Sequence, residues 1–138
     1  MSDEHAGSNK ALILVVERDP HVRALERFFL EQAGYAVEFC DDGEAALERA
    51  RALLPTIVVA EILIPRRDGL SVCRALKAGA TTRHILVLIF SILAAEDRAR
   101  EAGADGFLRK PLNDAVLIGA VQELLARAAA RGPSHGPR

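Results

Sequence analysis

Short apolar runs alternate with segments of helical periodicity along this chain, and the alternation occurs five times. The runs are Ala11–Val16, Tyr35–Cys40, Thr56–Glu61, His84–Phe90 and Ala104–Arg109. The first, third and fourth are almost wholly apolar, the pattern expected of parallel strands covered on both faces. Between them lie segments with apolar residues at helical spacing: Val22, Leu25, Phe29 and Ala33 in the first, Ala46, Leu47, Ala50 and Leu54 in the second, and Val72, Cys73 and Leu76 in the third, over Leu70–Ala78. A fourth helix is predicted over Ala94–Ala102 and a last one from the cap Asn113 to Ala130, with a core stripe of Leu117, Val121 and Leu124. Breaks fall where they should: Asp19-Pro20 opens the first helix, Gly34 ends it, Asp41-Asp42-Gly43 caps the second, Pro55 stops it, and Gly103 closes the fourth. Right-handed crossovers then dictate a (βα)5 doubly wound five-stranded parallel sheet, a three-layer α/β sandwich.

At 138 residues, half of them hydrophobic, the chain is long enough for one packed domain. We expect that domain over residues 11–130, between a flexible N-terminus (1–10) and a disordered basic tail (131–138). A net charge of −1 argues against binding nucleic acid or an anionic membrane by bulk electrostatics. No apolar run nears the roughly 20 residues that span a bilayer. The polar start Met1–Lys10 lacks a secretory apolar stretch, so the cytoplasm is the expected location, with Cys40 and Cys73 reduced. Neither cysteine has metal spacing, and His21 and His84 have no second ligand beside them, so exposed histidines are expected.

Chemistry-bearing residues follow the strands directly. Glu17, Arg18 and Asp19 follow the first, Glu61 closes the third, Ser91 follows the fourth, and Lys110 follows the fifth. Parallel topology gathers them at the carboxyl edge of the sheet, where open α/β folds bind ligands. Two carboxylates, Glu17 and Glu61, then face two cations, Arg18 and Lys110. Such a group is able to balance its own charge.

The segments "ILVVERDP", "PTIVVAEILIPRRDGL", "TRHILVLIFS" and "EAGADGFLRKPL" resemble the response-regulator receiver domain, the CheY-like fold, over about residues 10–128. The 30-residue interval from Glu61 to Ser91 matches that between phosphoacceptor and switch hydroxyl in the family. The resemblance places Glu61 at the phosphoacceptor aspartate, Glu17 and Arg18 at two acids that hold Mg²⁺, Ser91 and Phe107 at the switch hydroxyl and switch aromatic, and Lys110 at the lysine that contacts the phosphoryl group. The peptide bond before the following proline is often cis in that family. The departures bear on chemistry. A guanidinium at position 18 offers Mg²⁺ no oxygen and repels it. Glu61 carries its carboxylate about 1.5 Å further out than aspartate, and a misplacement of that size costs about 100-fold in an aligned transfer.

The resemblance therefore implies a stand-alone pseudo-receiver of a bacterial two-component system, not an enzyme, that acts by protein–protein contact. Weak or absent Mg²⁺ binding and no other cofactor are expected. Glu61, Ser91, Lys110 and Arg18 form an ionic mimic on this reading, with Arg18 tying Glu17 to Glu61; a degenerate site kept for its fold is the competing expectation. The alternative function is a phosphorelay receiver with residual Mg²⁺-dependent transfer. A flavin carrier is disfavoured because Glu17-Arg18-Asp19-Pro20 would repel a phosphate. Only 19 residues separate Ser91 from Lys110, about a helical turn fewer than such domains have, which alters the helix 4–strand 5–helix 5 face expected to meet a partner. Ile118 and Leu125 widen the apolar face of the last helix, and a second copy of the chain is a further candidate partner.

Overall fold

The structure, a computed structural model, describes residues 10–131. Its elements are β1 (Leu12–Val16), α1 (Pro20–Gln32), β2 (Ala36–Cys40), α2 (Gly43–Leu53), β3 (Ile57–Ala60), α3 (Gly69–Ala78), β4 (Leu86–Ser91), α4 (Glu96–Glu101), β5 (Gly106–Arg109) and α5 (Asp114–Arg131). The strands form one parallel sheet, as the β/α alternation predicts, and their order is β2-β1-β3-β4-β5. Apart from Lys10 and Arg131, the expected flexible N-terminus and basic tail lie outside the described residues.

Side chains of each strand alternate between two cores. Ile13, Val15, Ile57, Val59, Leu86, Leu88 and Phe90 pack with Leu30 of α1 and Leu117, Val121 and Leu124 of α5. Leu14, Val16, Val58, Ala60, Val87 and Ile89 pack with α2, α3 and Ala99 of α4. Every residue of β3 and β4 is buried, which explains their unbroken apolar runs. Each such Val, Leu or Ile contributes about 1.5–3 kcal/mol by leaving water.

Helix starts are set by side-chain caps. Asp19 accepts from the N–H groups of His21 and Val22, Asp42 from Ala45, Asp68 from Ser71 and Asn113 from Val116. Two expectations need correction. Leu54 is not an inward residue of α2. It is the left-handed C-cap of that helix, at φ 47°, and is 48% exposed, because Pro55 bars another helical turn. The core line of α1 is also rotated from the expected stripe. Val22 is half-buried, but the fully buried residues are Glu26 and Leu30, while Ala33 is exposed.

α4 is the shortest helix, six residues (Glu96–Glu101) rather than the expected Ala94–Ala102, with no side-chain cap. β4 begins two residues later than predicted, since the Thr82 hydroxyl donates to the Leu76 carbonyl and the Ile85 N–H to the Thr82 carbonyl, turning the chain there. Ile118 and Leu125 pack against the α1/α5 core, so the widened face of α5 is largely seated.

Candidate functional site

Strand order reverses at β1 and β3, which opens a crevice beyond their carboxyl ends. The residues that border it are fixed by the sheet ladder itself. The Glu17 N–H donates to the Cys40 carbonyl at 3.0 Å, the Glu61 N–H to Val16 at 3.1 Å, and the Lys110 N–H to Ser91 at 2.9 Å. Behind Glu61 the chain turns so tightly that a Cβ on Gly69 would lie 2.3 Å from the Glu61 carbonyl oxygen; glycine is required there. The Lys110–Pro111 peptide bond is cis.

Four predicted residues meet in this crevice. Lys110 Nζ bridges the two acids, 2.7 Å from Glu17 Oε1 and 2.9 Å from Glu61 Oε1. The Ser91 hydroxyl donates a short hydrogen bond to Glu61 Oε2. Backbone N–H groups complete the cradle: Leu63 donates to Glu61 Oε2 at 3.1 Å and Ile92 to Oε1 at 3.3 Å. Glu17 Oε2 accepts from the Asp19 N–H at 3.1 Å. All four carboxylate oxygens therefore have protein donors. Glu17, Glu61 and Ser91 are buried.

Burial alone would raise the Glu61 carboxyl, but hydrogen bonds from Ser91, Lys110 and the Leu63 N–H outweigh it and hold the group below the usual carboxylate range. Burial would likewise lower Lys110, yet hydrogen bonds to Glu17 and Glu61 hold the ammonium above its ordinary value. Glu61 and Lys110 are thus both held in their charged forms at neutral pH.

Residues 13–122 match the family described as the response regulator receiver domain. The chain belongs to the response-regulator receiver family. It is 41% identical over 118 residues to the response regulator PleD of Caulobacter vibrioides, covering 83% of this chain and 26% of that protein. It is 33% identical over 126 residues to the transcriptional regulatory protein CseB of Streptomyces avermitilis, covering 91% of this chain and 54% of that protein. The chain thus spans about half, or less, of these curated relatives. A putative response regulator from Chloroflexus aurantiacus superimposes with a TM-score of 0.82 at 28% identity, over 86% of this chain and 99% of that one. The receiver fold and a place in two-component signalling follow.

Within this receiver, Arg18 departs from expectation. Its side chain is exposed and makes no ion pair with Glu17 or Glu61. Lys110, half-buried just past the end of β5, ties the two acids instead, while Arg18 is exposed at the start of the β1–α1 loop. The charge sum changes with it: one buried cation, not two, serves Glu17 and Glu61. Phe107 is half-buried, packs against the α2/α3/α4 core and lines a cleft beside Glu96, Ala99 and Arg100.

Glu26 was not among the predicted site residues. It is 1% exposed, one of its carboxyl oxygens has no hydrogen-bond partner among the described residues, and burial, then the charge of Glu17, pushes it up to about 8. A signal existed, since Glu26 lies four residues from both Val22 and Leu30 on the helix. Cys40 and Cys73 are pushed up to about 11 by burial, which makes them poor nucleophiles. His21 and His84 are exposed, as expected. No described helix is long and apolar enough to cross a membrane.

Proposed function

We propose that this domain is a pseudo-receiver that takes no phosphoryl group at position 61 and signals by protein contact from an active-like state. The observation that carries the reading is the occupancy of Glu61. The switch hydroxyl of Ser91 and the ammonium of Lys110 already donate to its carboxylate. In the family both positions engage the phosphoryl group. Here a carboxylate one methylene longer than aspartate reaches them directly and stands in for that group. Phe107, half-buried against the core, is compatible with the same state.

The donor set does not suit the Mg²⁺ that the family implies. Mg²⁺ needs near-octahedral oxygen ligands. The oxygens of Glu17 and Glu61 are committed to Lys110, Ser91 and backbone N–H groups, and the position of a second acid holds Arg18. On this reading the domain is neither an enzyme nor a cofactor protein. Its output goes to a protein partner in the cytoplasm through the α4–β5–α5 face, where a cleft is lined by Phe107 and Arg109 of β5 and Ala95, Glu96 and Arg98. A second copy of the chain is the other candidate for that face, and nucleic acid is not a partner.

Mg²⁺ titration followed through the backbone amide shifts of Glu17, Glu61, Ser91 and Lys110 tests the reading. We expect only small, non-saturating shifts. A saturable shift with a millimolar midpoint favours the phosphorelay receiver.

A further inference from the structure

The bridge described above has one ammonium for two buried carboxylates, and a third carboxyl, Glu26, is buried on α1 within reach of the charges of Glu17 and Lys110. The alternation of β1 explains the placement. Ile13 and Val15 point into the layer covered by α1 and α5, and Glu17, two residues further on, continues that face toward α1. Glu26 is on the core line of α1, between Val22 and Leu30. The charged groups that face it come from every neighbouring element: Glu17 after β1, Glu61 after β3, Lys110 after β5 and Arg23 on its own helix. α5 brings Leu117, Val121 and Leu124 to this layer. No donor compensates the free oxygen of Glu26 among the described residues.

A buried carboxyl without a donor is tolerated while it carries a proton and is expensive when it does not. Ionised, Glu26 would need a cation; the charges of Lys110 and of Arg23 on its own helix reach it, and Lys110 is the one already seated among the buried carboxylates. We propose that Glu26 is a proton-operated switch for the Lys110 bridge: protonated, it leaves the ammonium to Glu17 and Glu61, and ionised, it claims that ammonium and draws it off Glu61. The step is a simple acid dissociation, the proton passing from the Glu26 carboxyl to solvent buffer. Loss of the Lys110 contact unpins Glu61 and, with it, the two backbone N–H groups that Glu61 holds. Those belong to Leu63 and Ile92, residues that are 49% and 54% exposed beside the site. The device thus links pH to two exposed apolar residues beside the site. Any consequence for partner binding rests on the pseudo-receiver reading; the coupling itself does not.

The test is a carbon-detected NMR titration of the glutamate carboxyls, with the Leu63 and Ile92 amides followed in parallel, from about pH 5 to about pH 9.5, on the full chain. We expect the Glu26 carboxyl to titrate with a midpoint near 8. The Leu63 and Ile92 amides should shift with the same midpoint. In Glu26→Gln both amides should stay flat across the range, and Glu26→Leu, which fills the core without a polar group, should do the same if the glutamine variant folds poorly. A Glu26 midpoint below about 6 would overturn the proposal. So would a midpoint near 8 with unmoved Leu63 and Ile92 amides, or amide shifts that persist in both variants. These outcomes are independent of whether Glu61 accepts a phosphoryl group, so the switch and the pseudo-receiver reading can fail separately.

Discussion

At the residue scale the central object is Lys110, a single ammonium between two buried carboxylates. Burying charge is costly, and the attraction repays it only when the geometry is good and the remaining polar atoms are satisfied. Here they are: Glu17 and Glu61 direct all four oxygens at protein donors. Lys110→Met keeps the length of the side chain and removes the cation, leaving two facing carboxylates uncompensated. We expect a loss of about 3–5 kcal/mol in chemical denaturation, far more than a surface pair would cost. A loss below about 1 kcal/mol would mean that the bridge contributes no more than an exposed ion pair. Much of this site was legible in the sequence, because each residue directly follows its strand and parallel topology leaves the carboxyl edge as the one place they meet. Which cation would bridge was not legible. Arg18 lies two residues past the end of β1 and Lys110 one past the end of β5, a difference too small to choose between them, and only the course of the β1–α1 loop leaves Arg18 exposed. Glu26 was missed for a different reason. A carboxylate on a helical core line is improbable from composition, so the eye rotates the stripe to Leu25 and Phe29 and passes over it.

At the scale of elements, strand and helix identities follow from periodicity and caps, and the errors gather at ends, where one residue's backbone decides. Leu54 shows why. Its apolar side chain fits the helical spacing from Ala50, yet Pro55 disfavours the α conformation before it, and Leu54 ends the helix in the left-handed region instead. The side chain then faces solvent and repays little of the conformational cost. Leu54→Gly should therefore stabilise the domain by about 0.5–1 kcal/mol, since glycine adopts a left-handed cap without the side-chain penalty. A thermal melt shows this as a rise in Tm; a fall would mean that the half-exposed leucine packs more than its exposure suggests. α4 is the other informative element. Six residues without a side-chain cap are marginal on their own, and Ala99 and Ala102, buried on the core, are what hold it. The α4–β5–α5 face thus carries a shorter helical ridge than the spacing of Ala94–Ala102 suggests.

For the whole molecule, the pH dependence of stability has a shape set by three groups. Glu61 is held below its ordinary value, so its contribution is present above about 4.5 and is lost as the pH falls through its folded value. Lys110 is held above its ordinary value, so its contribution is present below about 10.5 and is lost as the pH rises beyond that. Glu26 acts in the opposite sense to Glu61. Its folded value, about 8, is above the 4.5 of the free group, so the folded state binds this proton more tightly and stability falls as pH rises from 4.5 to 8. The fall amounts to about 4 kcal/mol as an upper order of magnitude. Urea denaturation across this window should show the decline in the wild type and a flatter profile in Glu26→Gln; parallel profiles would remove Glu26 as its source.

The sharpest claim about the molecule is that Glu61, held by Lys110 and Ser91, occupies the place of a phosphorylated aspartate and does not turn over. Intact mass after incubation with a small acyl-phosphate donor and Mg²⁺ reads this directly. The account predicts no phosphoryl adduct on the wild-type chain, and an adduct on the double variant Arg18→Asp/Glu61→Asp, which restores an acid at the metal position and the shorter nucleophile. A stoichiometric adduct located on Glu61 of the wild type would contradict it.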